Sequence, residues 1–161
     1  MTIITGGQTG VDRAALDFAI EYDIQYSGWC PSGRLAEDGK IHGRYHLQET
    51  ADTDYLTRTR LNVQGSDGTL ILNREILDGG TAATVNFAVG MKKPYLIINL
   101  EHPPDTNVIH DWLAVNKIRK LNIAGPRESK CPGIYRQVLD FLRTLFPVQD
   151  LSDNKTGTGN H

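Results

Sequence analysis

The chain has 161 residues, the length of about one domain, and it is long enough to bury a substantial core. Its formal net charge is only −2, so it lacks the basic field that attracts nucleic acid, and we expect no nucleic-acid partner. The two cysteines lie far apart and do not have metal-ligand spacing. No apolar run approaches the ~20 residues of a membrane helix. Met1 leads directly into a predicted strand, so no signal peptide is expected. We therefore expect a cytoplasmic protein with free thiols and no membrane span.

Short apolar strands alternate with amphipathic helices from the first residues onward. The first predicted strand, Ile3–Thr5, ends at two glycines. Apolar residues then recur at helical spacing up to Tyr22, and Thr9 with Asp12 three residues later fits a capping box, so the first helix is predicted to begin near Thr9. A second strand is predicted at Tyr26–Trp29.

The segment 30–50 has neither a helical nor a strand period and is rich in glycine and charge, which predicts a long loop. Cys30 stands at its root, and we interpret it as a small buried thiol, because a nucleophilic cysteine needs a basic neighbour that lowers its pKa. His42 and His46 have the spacing of a helical metal pair, but Gly43 between them argues against a helix. No metal site is predicted.

The rest of the chain continues the alternation. In chain order the prediction is a helix at Asp54–Gln64, a strand at Thr69–Leu72, a helix at Thr81–Val89, a strand at Tyr95–Asn99, a helix at Val108–Asn116, a strand at Lys120–Ala124 and a helix at Pro132–Phe146. The strands at 69–72 and 95–99 are almost continuously apolar, which is typical of strands buried on both faces. The alternation predicts a Rossmann-like, three-layer α/β fold with a mainly parallel sheet of about five strands.

The domain boundary follows from composition. Residues 1–149 are predicted to form a single Rossmann-like ligand-binding domain. Residues 150–161, DLSDNKTGTGNH, are polar and show no period, so we expect a C-terminal tail that contributes little to stability.

Three loops between strands and helices have the composition of an anion site. They are Thr5–Arg13, Leu77–Thr84 and Ala124–Ser129. In parallel sheets ligands bind outside the carboxyl ends of the strands. Glycine lets the backbone approach a ligand there, and the N–H groups and dipole of a helix N-terminus favour an anion. Any one loop is explained by a tight connection alone, but three loops on one edge predict an anion site.

Two common nucleotide-binding motifs are not matched. The Walker motif needs Lys followed by Ser or Thr after its last glycine, whereas Gly10 is followed by Val11 and Asp12. The dinucleotide fingerprint expects an acidic residue about 20 positions later, where this chain has Trp29 and Cys30. A standard ATPase and a standard NAD-dependent dehydrogenase are therefore not expected.

Five stretches of the chain together resemble a known family. ITGGQTGVDRAALD, GWCPSGRLAEDG, RTRLNV, DGGT and LNIAGPRESKCPGIY are similar to sequences of the putative molybdenum carrier proteins, a circularly permuted, YpsA-like branch of the SLOG group that also contains the lysine-decarboxylase-like LOG proteins. The resemblance covers about residues 2–146 in the same order. It implies a Rossmann-like fold, a homodimer and a pocket for a phosphorylated or nucleotide-like ligand. Molybdenum cofactor, whose pterin bears a phosphate, is the cargo that the family name proposes.

The resemblance also indicates which residues bind the ligand. The first glycine motif falls on Gly6, Gly7, Gln8, Thr9, Gly10 and Asp12, the charged motif on Arg34, Glu37 and Asp38, the second phosphate loop on Gly79, Gly80 and Thr81, and the last segment on Arg127. We expect N–H groups of Gly7–Gly10 and Gly79–Thr81 to hold an anion, with Arg34 or Arg127 closing over it. For the homodimer, we expect the helix at 132–146 to carry more apolar surface than one sheet face covers.

One departure from the LOG pattern bears on function. LOG-type phosphoribohydrolases share a GGxGTxxE motif whose Glu serves the cleavage of an N-glycosidic bond, and the corresponding position here is Thr84. A hydroxyl of ordinary pKa does not replace a carboxylate in acid–base catalysis, so a binding or carrier protein for a phosphorylated small molecule is favoured. The alternative is a hydrolase of a nucleotide or its derivative that uses Asp12, Glu37 or Asp38 instead. A purely structural module would leave the three loops unexplained.

Overall fold

The fold is described from a computed structural model, for residues 1–74 and 79–147. Its helices are α1 (Val11–Glu21), α2 (Tyr55–Gln64), α3 (Gly79–Gly90), α4 (Thr106–Val115) and α5 (Ile134–Leu145). Its strands are β1 (Thr2–Ile4), β2 (Gln25–Ser27), β3 (Trp29–Cys30), β4 (Leu35–Ala36), β5 (Gly39–Lys40), β6 (Gln48–Glu49), β7 (Gly68–Asn73), β8 (Tyr95–Asn99) and β9 (Lys120–Ala124). The predicted tail at 150–161 lies outside the described residues.

The central sheet has five parallel strands in the order β2-β1-β9-β7-β8. The last strand of the chain, β9, therefore lies between β1 and β7 and pairs with both. This arrangement confirms the predicted α/β fold with a mainly parallel sheet of about five strands.

The helices cover both faces of this sheet. On one face α1 packs against α5, and α4 joins them through His110, whose Nε2 lies 2.8 Å from the carbonyl oxygen of Leu145. On the other face α2 packs against α3. β1 is followed by β2 at one edge of the sheet, and β7 is followed by β8 at the other edge. The two connections therefore run in opposite directions from the carboxyl ends of the central strands β1, β9 and β7. In open α/β sheets such a divergence leaves a crevice.

Side chains that accept backbone N–H groups mark the start of three helices. Asp54 accepts from the N–H of Leu56 at 2.9 Å, and Asp105 accepts from the N–H of Asn107 at 2.8 Å. Glu128 accepts from the N–H of Tyr135 at 2.9 Å. Each carboxylate satisfies an otherwise orphaned donor and also complements the helix dipole, which explains where α2, α4 and α5 begin.

The start of α1 differs from its prediction. The capping residue is Gly10, and the Thr9 hydroxyl accepts from the N–H of Glu128 at 3.1 Å instead of capping the helix. The Asp12 carboxylate accepts from the N–H of Gln8 at 3.2 Å. The predicted capping box is therefore not formed, because Thr9 is drawn to a segment that is distant in sequence.

The core confirms β7 as a strand buried along its whole length, but β8 is different. Leu96 and Ile98 of β8 pack into the main core, whereas Ile97 on the opposite face is 41% exposed. The expectation that β8 is buried on both faces is thus wrong, since β8 is an edge strand of the sheet.

Most of the apolar side of α5 is buried within the domain. Its five buried apolar residues, Ile134, Val138, Leu139, Leu142 and Leu145, pack into the main core. Its other apolar residues, Tyr135 and Phe141, are partly buried against the same core, and the expected excess of apolar surface on this helix stays a prediction.

The segment 30–50 is more ordered than the predicted loop. β3 pairs with β6, and β4 and β5 form a hairpin whose two-residue turn is Glu37 and Asp38. The predicted strand at Tyr26–Trp29 is divided at Gly28 into β2, which belongs to the central sheet, and β3, which does not. Within the described ranges, none of the helices has the length and apolar character needed to cross a membrane.

Candidate ligand-binding cleft

A cleft of about 370 Å³ opens at the carboxyl edge of the sheet. It is bounded by residues that follow β1 and β9, by one side of α2 and by the first turns of α3. Its lining consists of Gly6, Gln8, Asp12, Tyr55, Arg58, Thr59, Asn62, Gly80, Thr81, Thr84, Asn122, Ile123, Ala124, Gly125, Arg127 and Lys130. Its volume is within the range of small-molecule sites.

An ion pair between α1 and α2 lines this cleft. Arg58 Nη1 lies 3.6 Å from Asp12 Oδ2 and donates a hydrogen bond of 3.0 Å to the carbonyl oxygen of Gly6. A Cβ at Gly6 would lie 2.7 Å from that same Nη1, so only glycine lets the guanidinium approach the backbone this closely. Burial raises the pKa of Asp12, against the opposing effects of Arg58, the Gln8 N–H and the Thr5 hydroxyl.

One side of α2 forms a wall of the cleft with Tyr55, Arg58, Thr59 and Asn62. Their spacing of three, four and seven positions places them on one face of the helix. Asn62 reaches beneath the cleft, where its Oδ1 accepts from the N–H of Trp29 at 2.8 Å and its Nδ2 donates to the carbonyl oxygen of Trp29 at 3.0 Å. None of the four was among the predicted site residues. Their signal in the sequence is this polar face on a predicted helix.

The first turns of α3 supply Gly80, Thr81 and Thr84 to the lining. Thr84 is buried, and its hydroxyl donates 3.1 Å to the carbonyl oxygen of Gly80. Thr84, the position that the resemblance aligns with the LOG glutamate, therefore lies inside the cleft, and its hydroxyl is bonded to its own helix.

The segment after β9 brings two cations to the same cleft, Arg127 and Lys130. Arg127 Nε donates 3.2 Å to the Ser129 hydroxyl and also lies 3.2 Å from Glu37 Oε2. This segment runs against the start of α1. A Cβ at Gly10, where φ is +77°, would lie 2.4 Å from the carbonyl oxygen of Pro126. Gly10 therefore serves the close packing of two loops and does not line the cleft.

The N–H groups of the first glycine loop are partly used within the protein. Those of Gln8 and Thr9 donate to Asp12 Oδ2 and Gln8 Oε1, respectively. The position of a Cβ on Gly7 would point to Leu47 and Ile41 and not to the cleft. This loop thus presents fewer free donors to a ligand than the sequence suggested.

Arg34 and Asp38 lie outside the cleft lining and have other partners. Arg34 donates to the carbonyl oxygens of Tyr45 at 2.7 Å and His42 at 3.0 Å, so it organises the segment 41–47. Asp38 makes a two-point ion pair with Arg13 at 2.9 and 3.2 Å. The hydrogen bonds from Arg13 hold the pKa of Asp38 below its ordinary value.

Glu37 is the centre of a hydrogen-bond cluster beside the cleft. Its carboxylate accepts from the hydroxyls of Thr9 and Ser129 and, at 3.0 Å, from the N–H of Ser129. Burial opposes ionisation of Glu37, but these hydrogen bonds and the charge of Arg127 together lower its pKa.

The predicted site residues thus divide into two sets. Those that line the cleft together are Gly6, Gln8, Asp12, Gly80, Thr81 and Arg127. Those outside its lining are Gly7, Thr9, Gly10, Arg34, Glu37, Asp38 and Gly79. The starts of α1 and α3 therefore contribute to one cleft, whereas most of the charged motif around residue 37 supports it from outside.

Cys30 lacks the surroundings of an activated thiolate. Burial raises the pKa of Cys30, which is the opposite of what an activated thiolate needs. No group of three or more His, Cys, Asp or Glu side chains in the described residues is arranged to hold a metal ion.

Comparisons with known proteins agree with this architecture. The model of the circularly permutated YpsA SLOG family matches residues 3–146. The crystal structure of a putative molybdenum carrier protein from Syntrophus aciditrophicus SB superposes with a TM-score of 0.87 at 50% sequence identity, covering 89% of this chain and 93% of that chain. No curated protein matches.

Proposed function

The chain belongs to the circularly permuted YpsA SLOG family, and on that basis we propose that it binds and carries a phosphorylated small molecule in the cleft at the carboxyl edge of its sheet. The observation that carries this proposal is the convergence of the α3 N-terminus with Arg127 and Lys130 on one cleft. Helix N-termini and arginine side chains are the two groups that proteins most often direct at phosphate.

The charges around the cleft support an anionic ligand. Among the described residues that line it, three are cations, Arg58, Arg127 and Lys130, and one is a carboxylate, Asp12. Burial raises the pKa of that carboxylate, which means that its ionised form is disfavoured in the cleft. A phosphate dianion matches the remaining positive charge.

The cargo is proposed from the relative. The similar structure from Syntrophus aciditrophicus SB is described as a putative molybdenum carrier protein. We propose molybdenum cofactor, held through its phosphate, as the first ligand to test and a nucleotide as the second. We also propose that the protein acts in the cytoplasm, where Cys30 and Cys131 stay reduced.

A homodimer is proposed through the face that carries α3. Val89 of α3 is 57% exposed, and Tyr95 and Ile97 of β8 point to this same face of the sheet and are exposed as well. Exposed apolar side chains in one region are typical of a protein interface. A second copy of the chain is the partner that the family resemblance implies.

A second candidate function is favoured by Asp12. It is the one carboxylate of the three considered that lines the cleft beside Gly80 and Thr81, and its pKa is raised, as expected of a group used in acid–base catalysis. Hydrolysis of an N-glycosidic bond in a nucleotide or its derivative therefore remains the alternative to transport alone.

Two experiments test the proposal. Native mass spectrometry of freshly purified protein would weigh a retained ligand directly. Calorimetry with nucleoside monophosphates and a phosphorylated pterin is expected to give binding without turnover. Turnover that is lost in Asp12→Asn would establish the hydrolase instead, and the absence of binding to all of these compounds would contradict the proposal.

A further inference from the structure

The turn of the β4–β5 hairpin, Glu37 and Asp38, joins the hairpin to the rest of the domain through two carboxylates. Asp38 pairs with Arg13 of α1. Glu37 bonds to Thr9 and Ser129, which belong to the segments after β1 and β9, and its own N–H donates 2.9 Å to Gln8 Oε1. Its side chain is only 21% exposed although it stands at the tip of a hairpin.

The contact of Glu37 with Arg127 is made on one side of the guanidinium. Nε of Arg127 lies 3.2 Å from Glu37 Oε2 and donates to the Ser129 hydroxyl, and among the described residues neither Nη atom of Arg127 donates a hydrogen bond. The Arg127 side chain is 44% exposed and lines the cleft. The Nε side of the guanidinium is therefore held by the protein, and the side with the two Nη groups is left for a ligand.

We infer that Glu37 is a positioning residue that holds the Arg127 guanidinium in the orientation in which its two Nη groups meet the anionic group of the ligand. The inference rests on the proposed function, because it concerns the same cleft. An arginine fixed through Nε loses less conformational freedom on binding than one that is free in solvent, and its planar fork retains two donors for a phosphate. Glu37 itself does not touch the ligand.

If Glu37 instead competed with the ligand for Arg127, its removal would change the affinity for phosphate in the opposite direction. A carboxylate that occupied the Nη edge would have to be displaced by phosphate, and its removal would tighten binding. Since Glu37 contacts Nε, its removal is expected to weaken binding.

The test is a double-mutant cycle with inorganic phosphate as the probe. The dissociation constant of each full-length variant is measured by phosphorus NMR titration. Arg127→Ala is expected to raise the dissociation constant for phosphate at least tenfold. Glu37→Gln, which keeps Arg127, is expected to raise it about fivefold. In the double variant the Glu37→Gln change should add nothing to the effect of Arg127→Ala, because its effect is transmitted through that arginine.

Asp38→Asn is the matched control. It loosens the same hairpin by removing the pair with Arg13 but leaves the contacts of Arg127 in place, so phosphate binding should stay within twofold of wild type. A second measurement needs no ligand. The Nε–H proton of Arg127 should exchange with solvent more slowly in wild type and Asp38→Asn than in Glu37→Gln.

The outcomes separate the two proposals. If wild type binds phosphate and Arg127→Ala weakens it, but Glu37→Gln leaves binding unchanged or tightens it, the positioning role is overturned and the binding cleft stands. The positioning role is also overturned if Glu37→Gln lowers phosphate affinity by the same factor in wild type and in Arg127→Ala, because the effect then does not pass through Arg127. If wild type binds one of the phosphorylated compounds named above but not inorganic phosphate, the same cycle is run with that compound and is read in the same way. Wild-type protein that binds neither inorganic phosphate nor any of those compounds overturns both proposals.

Discussion

Asp12 Oδ2 and Arg58 Nη1 lie 3.6 Å apart and join the first turn of α1 to the middle of α2 inside the cleft. Both side chains are largely buried, so the pair is removed from solvent while it also lines the space where a ligand would bind. A buried ion pair gains attraction but loses hydration, and here the raised pKa of Asp12 indicates that the lost hydration is the larger effect on the carboxyl group.

Asp12→Asn should change how stability depends on pH. Because the pKa of Asp12 is raised in the folded protein, folding favours the protonated carboxyl, and wild type loses stability as the pH rises from the ordinary aspartate value of about 4 to the folded pKa. The free energy of unfolding of Asp12→Asn relative to wild type should therefore increase across that interval and then level off. Urea unfolding at a series of pH values measures this difference, and a flat difference would contradict the assigned direction.

Gly80→Val should abolish binding of a phosphorylated ligand in a protein that still folds. A side chain at this position would fill the space beside the first turn of α3 where we place the phosphate oxygens. Gly90→Val at the other end of the same helix is the control, since a Cβ there has no atom within 4 Å. Calorimetry should show binding to the control and none to Gly80→Val, while circular dichroism confirms that both variants are folded. Normal binding by Gly80→Val would exclude this position from the site.

Arg127→Ala should weaken binding of the phosphorylated ligand by ~1.5–3 kcal/mol, the range for a hydrogen bond to a charged group. Arg136→Ala is a suitable control, because Arg136 is exposed on α5 and pairs only with Asp140 within the described residues. Calorimetric titration of the two variants side by side would show whether the loss is specific to the cleft. Equal losses in both would mean that general charge, and not Arg127, supports binding.

Tyr135 should make stability fall in strongly alkaline solution. Burial and a 2.5 Å hydrogen bond to Asp17 raise its pKa to about 12, so the stabilisation from its hydroxyl is complete below the unfolded value of about 10 and is lost as the pH rises towards 12. The difference in free energy of unfolding between wild type and Tyr135→Phe should be constant below about pH 10 and shrink above it. A difference that persists unchanged to higher pH would show that the Tyr135 hydroxyl is not the group responsible.

Val89→Asp should convert the proposed homodimer into a monomer, because it places a charge in the exposed apolar region of α3 and β8. Val115→Asp on α4 adds the same charge at a residue that is 79% exposed and outside that region, so it should leave the dimer intact. Light scattering at micromolar concentration gives the mass of each variant. A wild-type monomer would contradict the proposed dimer.

The central sheet and the helices around it were predictable because their strands and helices carry local signals, whereas the short strands within 30–50 were predicted as loop. β8 and β9 begin and end at the predicted residues, and the other elements of the central sheet differ by only a few positions. The exposure of Ile97 was not predictable, because an apolar run does not reveal whether a strand lies at the edge or in the middle of a sheet.

The cleft was predicted less well than the fold, for a physical reason. Glycine motifs identify where the backbone is approached closely, but not whether the approaching group is a ligand or another loop. Gly6 is approached by the guanidinium of Arg58, and Gly7 by the segment that contains Ile41 and Leu47. Gly10 is approached by the backbone of Pro126. Arg58 has no glycine beside it in sequence, and its place in the cleft depends on how α2 packs, which local spacing does not specify.

The central position of β9 has a consequence for the order in which the protein is built. β1 and β7 do not pair with one another but only through β9, which leaves the ribosome after both of them. Until then the growing chain exposes two unpaired strand edges, each a potential site of association with other chains. The cleft, which needs Gly6 from the beginning and Arg127 from beyond β9, is completed only late in synthesis. Any product terminated before Ala124 thus lacks both a complete cleft and the strand that joins the two halves of the sheet.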